Sequence, residues 1–473
     1  MPFNDFADYP MSFQPDRAQL HRPLHRAIAD LLEREILSGA LPPHTKLPPQ
    51  RELADYLDIN LSTVTKGYEL CKRKGLLYAS VGRGTFVAPQ SRPAQEELSG
   101  EPPEGRIEMS VIEPYSAFNG RVLQAARAVL ADARAERLFA YSFPLGSPGQ
   151  REAAADWLHR FGVVESPEQV IITTGTQSGI VAALISLFEA GDQLAADPHT
   201  YPNFIELAKL LQLRLLPVVG DEFGMRPEAL EELCRTHSPR GIYLMPSCSN
   251  PTALSMPEAR RRQLAEVIER YGLILIEDDA YSFLDPVLIP PMAAAIPGRT
   301  IYINGVSTSI CGGLRIALMT APAALRQPLV GGLHNTNLKT SSLNTEIAAE
   351  LMRDGGALEI IRQKAERSAL RNRIFDEVFG EQGRAQHPAP FFRWLRLPAR
   401  MERLGHHEVE HLADEAGVRL FHADRFRLPG AEPVAAVRVA LSSVRTEGEL
   451  RRGLLILKNL FQAREPEGYT FIV

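Results

Sequence analysis

One stretch divides this chain before anything else is read. Residues 89–105, PQSRPAQEELSGEPPEG, are rich in Pro, Glu, Gln and Ser and hold almost nothing to bury, so they read as a linker between separately folded parts. At 473 residues the chain is too long for one hydrophobic core, and domain sizes suggest about two to four units. Hydrophobic residues at 45% and charged residues at 23% fit globular units and exclude wholesale disorder. The opening MPFNDFADYPMSFQ has no basic stretch followed by an apolar one, and no run nears the roughly 18 apolar residues of a membrane span. A cytoplasmic protein without a membrane partner is expected. Cys71, Cys234, Cys248 and Cys311 form no C-x-x-C pair, which suits reduced thiols, and no metal site is expected.

Upstream of the linker, Leu24, Ile28, Leu31, Leu32 and Ile36 fall on one helical face, and Gly39 with Pro42-Pro43 stops that helix. A second helix from Arg51 to Leu57, a break at Asp58-Ile59-Asn60 and a third helix from Ser62 to about Lys74 make a helix-turn-helix. Two short strands, Leu76–Tyr78 and Thr85–Val87, flank Gly82-Arg83-Gly84 as a wing. A recognition helix must offer short polar side chains to base edges and cations to phosphates. Asn60, Ser62, Thr63, Thr65 and Lys66 meet that need, with Arg51 and Arg83 as cations for phosphate or the minor groove, while Val64, Tyr68 and Leu70 face the core. Residues 20–90 hold 10 Lys and Arg against 7 Asp and Glu, a charge of +3; the remainder holds 42 against 50, a charge of −8. That asymmetry suits a nucleic-acid module on an acidic body. The helical pattern alone fits a protein-interaction module equally well.

The run LPPQRELADYLDINLSTVTKGYELCKRKGLLYASVGRGTFVA resembles the GntR family of winged helix-turn-helix regulators, and the likeness extends over residues 23–88. The resemblance implies a double-stranded DNA operator, Arg51 as a DNA contact, Asn60, Ser62, Thr63 and Thr65 as readout positions, and Gly82-Arg83-Gly84 as the wing turn. Leu61 stands where the family often has arginine, and Thr65 where some members have another. Readout should therefore rely less on bidentate guanine contacts.

Downstream of the linker, the apolar runs 170–172, 242–245, 273–276 and 301–303 alternate with helix-length segments 177–190 and 257–271, the pattern of an α/β unit with a largely parallel sheet. From about residue 356, strand-like runs 391–397 and 437–441 between helical patterns suggest a small α+β subdomain. The expected architecture is multidomain: an N-terminal extension 1–19, an α+β winged helix-turn-helix head 20–88, a linker 89–106, and an α/β body 107–473 whose small C-terminal α+β subdomain covers about 356–473. Thr174-Gly175-Thr176-Gln177 stands where a strand meets a helix, and free N–H groups there suit a phosphate. Tyr201 can cover an aromatic ring, Asp278 can keep a pyridine nitrogen protonated, and Asn250 and Tyr281 can bond a ring hydroxyl. Arg315 and Arg438 have the fork geometry that holds phosphate and carboxylate. Each residue taken singly is more often a helix cap or turn.

The motifs YSFPLGSPGQREAAADWL, VIITTGTQSGI, DPHTYPNF, PSCSNPTALSMPEARR, LIEDDAYSFL, GGLRIAL and VRVALSS resemble the fold-type I aminotransferases over about residues 107–462, and their union with the head resembles the MocR branch of GntR regulators. The resemblance implies a pyridoxal phosphate site in which Tyr201 stacks on the ring, Asn250 and Tyr281 meet its hydroxyl, Asp278 pairs with its nitrogen, Arg315 binds phosphate and Arg438 a carboxylate. It also implies a head-to-tail homodimer. One departure stands out in INGVSTSICGGLR, where the family shows Ser-x-Ser-Lys seven residues before the phosphate arginine. Counting back from Arg315 reaches Thr308, preceded by Ser307, and Gly305 replaces the first serine. A hydroxyl cannot form the covalent tether of the Schiff-base lysine or move protons as an amine does, so no catalytic residue is assigned.

The expected function is a DNA-binding transcription regulator whose aminotransferase-like body senses a small-molecule effector, an amino acid, amine or vitamin B6-type ligand, without catalysis. Pyridoxal phosphate or its amine form is expected to bind noncovalently, the other reading being an unrelated anionic metabolite or no cofactor. The rivals are a pyridoxal-phosphate aminotransferase with a DNA-binding appendage, and an interaction protein that no longer binds DNA. Lys339 reads as a surface lysine or a substitute amine.

Overall fold

The protein, a computed structural model, is described over residues 11–17, 20–21, 23–37, 40–42, 45–73, 76–80, 84–88, 105–141, 144–163, 166–380 and 389–462. It divides into two compact units, one of residues before 105 together with 403–411, the other of the rest.

In the head, α1 (Leu24–Leu37), α2 (Gln50–Leu57) and α3 (Leu61–Arg73) form around a shared apolar cluster. Ile28, Leu31, Leu32 and Ile36 of α1 meet Leu53, Ala54 and Leu57 of α2 and Val64, Tyr68 and Cys71 of α3. Asp58 takes a left-handed conformation, φ 50°, to close α2. The Asn60 side chain then accepts the Ser62 amide at 2.9 Å, so α3 starts one residue earlier than its apolar spacing predicts. Gly67 has a steric reason, since a Cβ there would lie 3.1 Å from the His25 carbonyl oxygen and from Ile28 Cγ2 on α1. Strands β1 (Leu77–Ser80) and β2 (Gly84–Val87) pair antiparallel, with Tyr78 opposite Phe86. Phe13, in the stretch expected to be an N-terminal extension, is fully buried in this core beside Met11. Its burial contributes about 2–3 kcal/mol, so Met11 and Phe13 belong to the head's own packing.

The body is built on a seven-stranded sheet of β3 (Ile171–Thr173), β4 (Gln193–Ala196), β5 (Arg214–Pro217), β6 (Gly241–Leu244), β7 (Ile274–Asp279), β8 (Thr300–Gly305) and β9 (Ala317–Thr320), in the order β3-β9-β8-β7-β6-β4-β5. Strands β6 and β8 are buried at every residue, as a sheet covered by helices on both faces requires. Strand β9, which the apolar runs did not single out, is antiparallel to both its neighbours. Register decides where chemistry can collect: Thr173 pairs with Ala317, which pairs with Gly305; Asn304 pairs with Asp279, Glu277 with Leu244, and Tyr243 with Ala196. The carboxyl ends of β3, β8, β7, β6 and β4 therefore lie along one edge, where open α/β sheets bind ligands. Helix α4 (Gly175–Leu187) starts two residues earlier than expected, which makes Gly175-Thr176-Gln177 its first turn.

A long helix, α5 (Gly356–Phe379), leads to a three-stranded antiparallel sheet of β10 (Phe392–Arg396), β11 (Phe421–His422) and β12 (Ala436–Ala440). Arg438 sits on its middle strand, opposite Trp394 and Phe421.

Candidate functional site

On the head, the buried row Val64, Tyr68 and Cys71 turns the opposite face of α3 outward. Asn60, Ser62 and Lys66 are exposed there, Thr63 and Thr65 are half-buried, and Arg51 is exposed at the start of α2. Gly84 opens β2 with φ +119°, while Arg83 lies outside the described residues. A residue the sequence reading passed over joins this face: Thr65 donates its hydroxyl to Gln50 Oε1 at 2.7 Å. The only sequence signal was a polar residue beside Arg51.

On the body, the carboxyl edge gathers the residues expected at a phosphorylated ring. Asp278, at the end of β7, is 2% exposed. Its Oδ2 accepts the Tyr243 hydroxyl at 2.7 Å, and among the described residues its Oδ1 has no partner. Burial pushes this carboxyl up to about 7, with Asp279 adding to the rise and the Tyr243 hydrogen bond opposing it. Tyr243 stacks on Phe204, ring centroids 3.9 Å apart, so the bond is held rigidly. In the apolar run GIYL nothing distinguished Tyr243 from a core aromatic.

Tyr201 follows β4 and its hydroxyl accepts from Asn203 Nδ2 at 3.0 Å. It is pushed up to about 12, mainly by burial and also by Asp278, against the opposing pull of the cations Arg315 and Arg438, so Tyr201 lies within electrostatic reach of all three. Burial also raises Tyr281, which feels Arg438, Tyr201 and Asp278 and packs edge-on against Phe391 and Phe392.

Arg438 is 5% exposed and lies over Phe426, 4.6 Å from the ring centroid. It donates to Asn250 Oδ1 at 2.8 Å and to the Ser110 carbonyl at 2.5 Å, while its Nε has no partner among the described residues. Burial draws it down to about 10. Neither hydrogen-bond partner carries a negative charge, which leaves the guanidinium short of an anion.

At the amino end of α4, Gly175 has φ +76°, and a Cβ on it would come within 2.7 Å of Arg315 Nη2. Glycine is required there both by conformation and by the approaching guanidinium. Arg315 is itself left-handed, φ 52°, and donates to Ser307 Oγ at 3.2 Å. Gln177 Oε1 is buried without a partner among the described residues. A Cβ on Gly305 would lie 2.8 Å from Thr176 Oγ1, so the missing side chain at 305 is what lets that hydroxyl sit over the strand end.

Thr308 stands in the short helical turn Val306–Ser309 and donates its hydroxyl to the Ala280 carbonyl at 2.6 Å. Behind it, the fully buried Lys364 of α5 donates to the carbonyls of Thr308 and Ile310, both at 2.8 Å. Burial pulls that ammonium down to about 8. Nothing in the run IRQKAER sets this lysine apart from any other helical charge. Lys339 donates to the Ala140 carbonyl at 2.9 Å and to Ser342 Oγ at 3.0 Å, contacts of a tether between segments. Among the described residues no His, Cys, Asp and Glu group can hold a metal ion, and no helix is long and apolar enough to cross a membrane.

Three sets of likeness bear on these sites. Residues 112–455 match the family aminotransferase class I and II, and residues 24–87 match the bacterial regulatory proteins of the gntR family. The chain is 35% identical over 460 residues to YdeF, an HTH-type transcriptional regulator of Bacillus subtilis (strain 168), covering 97% of this chain and 99% of that one. It is 26% identical over 388 residues to MocR of Rhizobium meliloti, a probable rhizopine catabolism regulatory protein, covering 75% and 76%. Among solved structures it resembles LysN, the α-aminoadipate aminotransferase of Thermus thermophilus complexed with N-(5'-phosphopyridoxyl)-L-leucine, with a TM-score of 0.69 and 24% identity over 79% of this chain and 95% of that one.

Proposed function

We infer, from a chain that belongs to the class I and II aminotransferases and to the HTH-type transcriptional regulators, that its head reads a DNA operator and its body senses a small effector without catalysis. The observation that carries the second half is Thr308. At the position where the motif reading expects an amine, a hydroxyl is tied to the Ala280 carbonyl, and a hydroxyl can neither tether an aldehyde nor shuttle protons as lysine does.

The residues around Thr308 still fit a pyridoxal-phosphate-type ligand. The free Oδ1 of Asp278 and the anion-poor Arg438 suit a pyridinium nitrogen and a carboxylate. Gly175, Thr176, Gln177, Ser307 and Arg315 suit a phosphate. Tyr201 would cover the ring, and Asn250 and Tyr281 would meet its hydroxyl. When bound, such a ligand supplies an electron-accepting ring and a dianionic phosphate. What the protein contributes is binding: Asp278 holds a proton on the ring nitrogen, Arg438 selects a carboxylate, and the first turn of α4 fixes the phosphate end. Pyridoxal phosphate, its amine form or an amino-acid conjugate held noncovalently all satisfy these groups.

For the head, Arg51, Asn60, Ser62, Thr63, Thr65, Lys66, Arg83 and Gly84 form the proposed DNA contact, and two heads of a homodimer would engage paired half-sites. Gel shifts on the chain's own upstream DNA at graded salt test the reading. Affinity should fall steeply as salt rises, and the midpoint should move when pyridoxamine phosphate is added. Binding that ignores salt would exclude phosphate contacts, and a midpoint indifferent to every vitamin B6-type ligand and amino acid would exclude the sensing role.

A further inference from the structure

Arg438, the group proposed for a ligand carboxylate, also holds a piece of backbone. Its Nη2 donates to the Ser110 carbonyl at 2.5 Å. Ser110 is fastened in turn to Glu108, whose Oε1 accepts the Ser110 amide at 2.8 Å and the Ser110 hydroxyl as well. The residues beside them dock on the strand that carries Arg438, where the Met109 carbonyl accepts the Ala440 amide of β12 at 2.8 Å. Ile107–Glu108 runs parallel to Val418–Arg419, and Arg106 pairs with Asp414 at 2.8 Å.

Residues 106–110 follow directly on the stretch 89–105 that reads as a linker, so whatever fixes them fixes where the linker ends. Arg438 supplies one of those fixings, and its strength depends on what else Arg438 holds. A guanidinium bonds an anion about twice as strongly as it bonds a neutral acceptor. Without an anion, the acceptors of Arg438 are both neutral, Asn250 Oδ1 and the Ser110 carbonyl, and they share its whole charge. A carboxylate on Arg438 takes most of that charge, and the bond to Ser110 weakens.

We propose that the Ser110 carbonyl is the point at which the occupancy of Arg438 reaches the linker: without an effector Arg438 clamps residues 106–110 beside β12, and an effector carboxylate loosens the clamp. The proposal rests on the body sensing a small effector through Arg438. Glu108 and Ser110 are positioning residues in it. They hold the end of the linker to the guanidinium and touch no ligand group themselves.

The test is amide hydrogen exchange of the full-length protein with N-(5'-phosphopyridoxyl)-L-leucine, which carries a carboxylate, or with pyridoxamine phosphate, which does not. Exchange over residues 107–111 should quicken about fivefold with the first, as expected for one weakened hydrogen bond, and stay as it was with the second. Gel shifts on the chain's own upstream DNA then compare the wild type with Glu108→Ala. The two ligands should move the wild-type midpoint by different amounts and the variant's by the same amount, while the variant's calorimetric affinity for each ligand matches the wild type's. Exchange over 107–111 that is the same with both ligands, or a Glu108→Ala protein that still tells them apart on DNA, overturns the proposal. So does a variant that loses affinity for the ligands, because Glu108 would then shape the pocket and not relay its state. A wild type whose midpoint moves with neither ligand defeats the sensing reading itself, and the wild type alone shows it.

Discussion

Replacing Arg438 with methionine costs about 3 kcal/mol, roughly a hundredfold, in affinity for N-(5'-phosphopyridoxyl)-L-leucine, and leaves affinity for pyridoxamine phosphate nearly unchanged. Of the two probes only the first carries a carboxylate, its isobutyl group being the other difference and one that a guanidinium does not bind. Arg438 is buried, and its hydrogen bonds go to the neutral Asn250 and Ser110 oxygens, so its charge is uncompensated until an anion arrives. An exposed arginine would lose far less, because water screens it. Titration calorimetry of the variant with both probes measures the difference. Equal losses for the two probes would make Arg438 a structural residue and remove the carboxylate from the proposed ligand.

Asp278→Asn should stabilise the ligand-free protein at pH 8 by up to about 4 kcal/mol and change it little at pH 4. The folded carboxyl titrates near 7 because burial disfavours its charge, whereas an unfolded aspartate titrates near 3.9. Between those values the folded chain holds a proton that the unfolded chain has released. Stability from this group therefore falls as pH rises from about 4 to 7 and levels off above. Glu277, also raised to about 7 by burial, keeps its own share of the slope in the variant, so the wild-type curve flattens only in part. Urea midpoints measured from pH 4 to 8 give the result, and parallel curves for the two proteins would contradict it. The same variant should bind pyridoxamine phosphate more weakly, since a neutral amide cannot hold the ring nitrogen protonated. Stability given up at pH 8 for a charge that waits for a ligand is the trade expected at a binding site.

The helices of the head were legible because each carries its apolar residues at helical spacing around one core, and the turn because Asp58 and Asn60 are residues that end and cap helices. Strands β3, β6, β7 and β8 announced themselves as apolar runs, and the short β4 and β5 did not. The reversed strand β9 did not, since ALMT between glycine-rich and proline-bearing segments has no direction written in it. Candidate site residues such as Asp278 and Arg438 were found through motif order, while the residues that give them their properties were not. Nothing in the run GIYL set Tyr243, bonded to Asp278, apart from core, and nothing in IRQKAER set Lys364, which holds the carbonyls of Thr308 and Ile310, apart from other helical charges. Such partners are set by tertiary contact, which periodicity does not encode.

Native mass spectrometry of the full chain with pyridoxal phosphate, repeated after borohydride reduction and denaturation, tests the central claim that position 308 ends in an alcohol with no amine standing in for lysine. The expected result is one ligand mass per chain under native conditions that is lost completely on denaturation, with or without reduction. A reduced pyridoxyl group that survives denaturation and maps to any lysine near the site, Lys339 and Lys364 included, would contradict it.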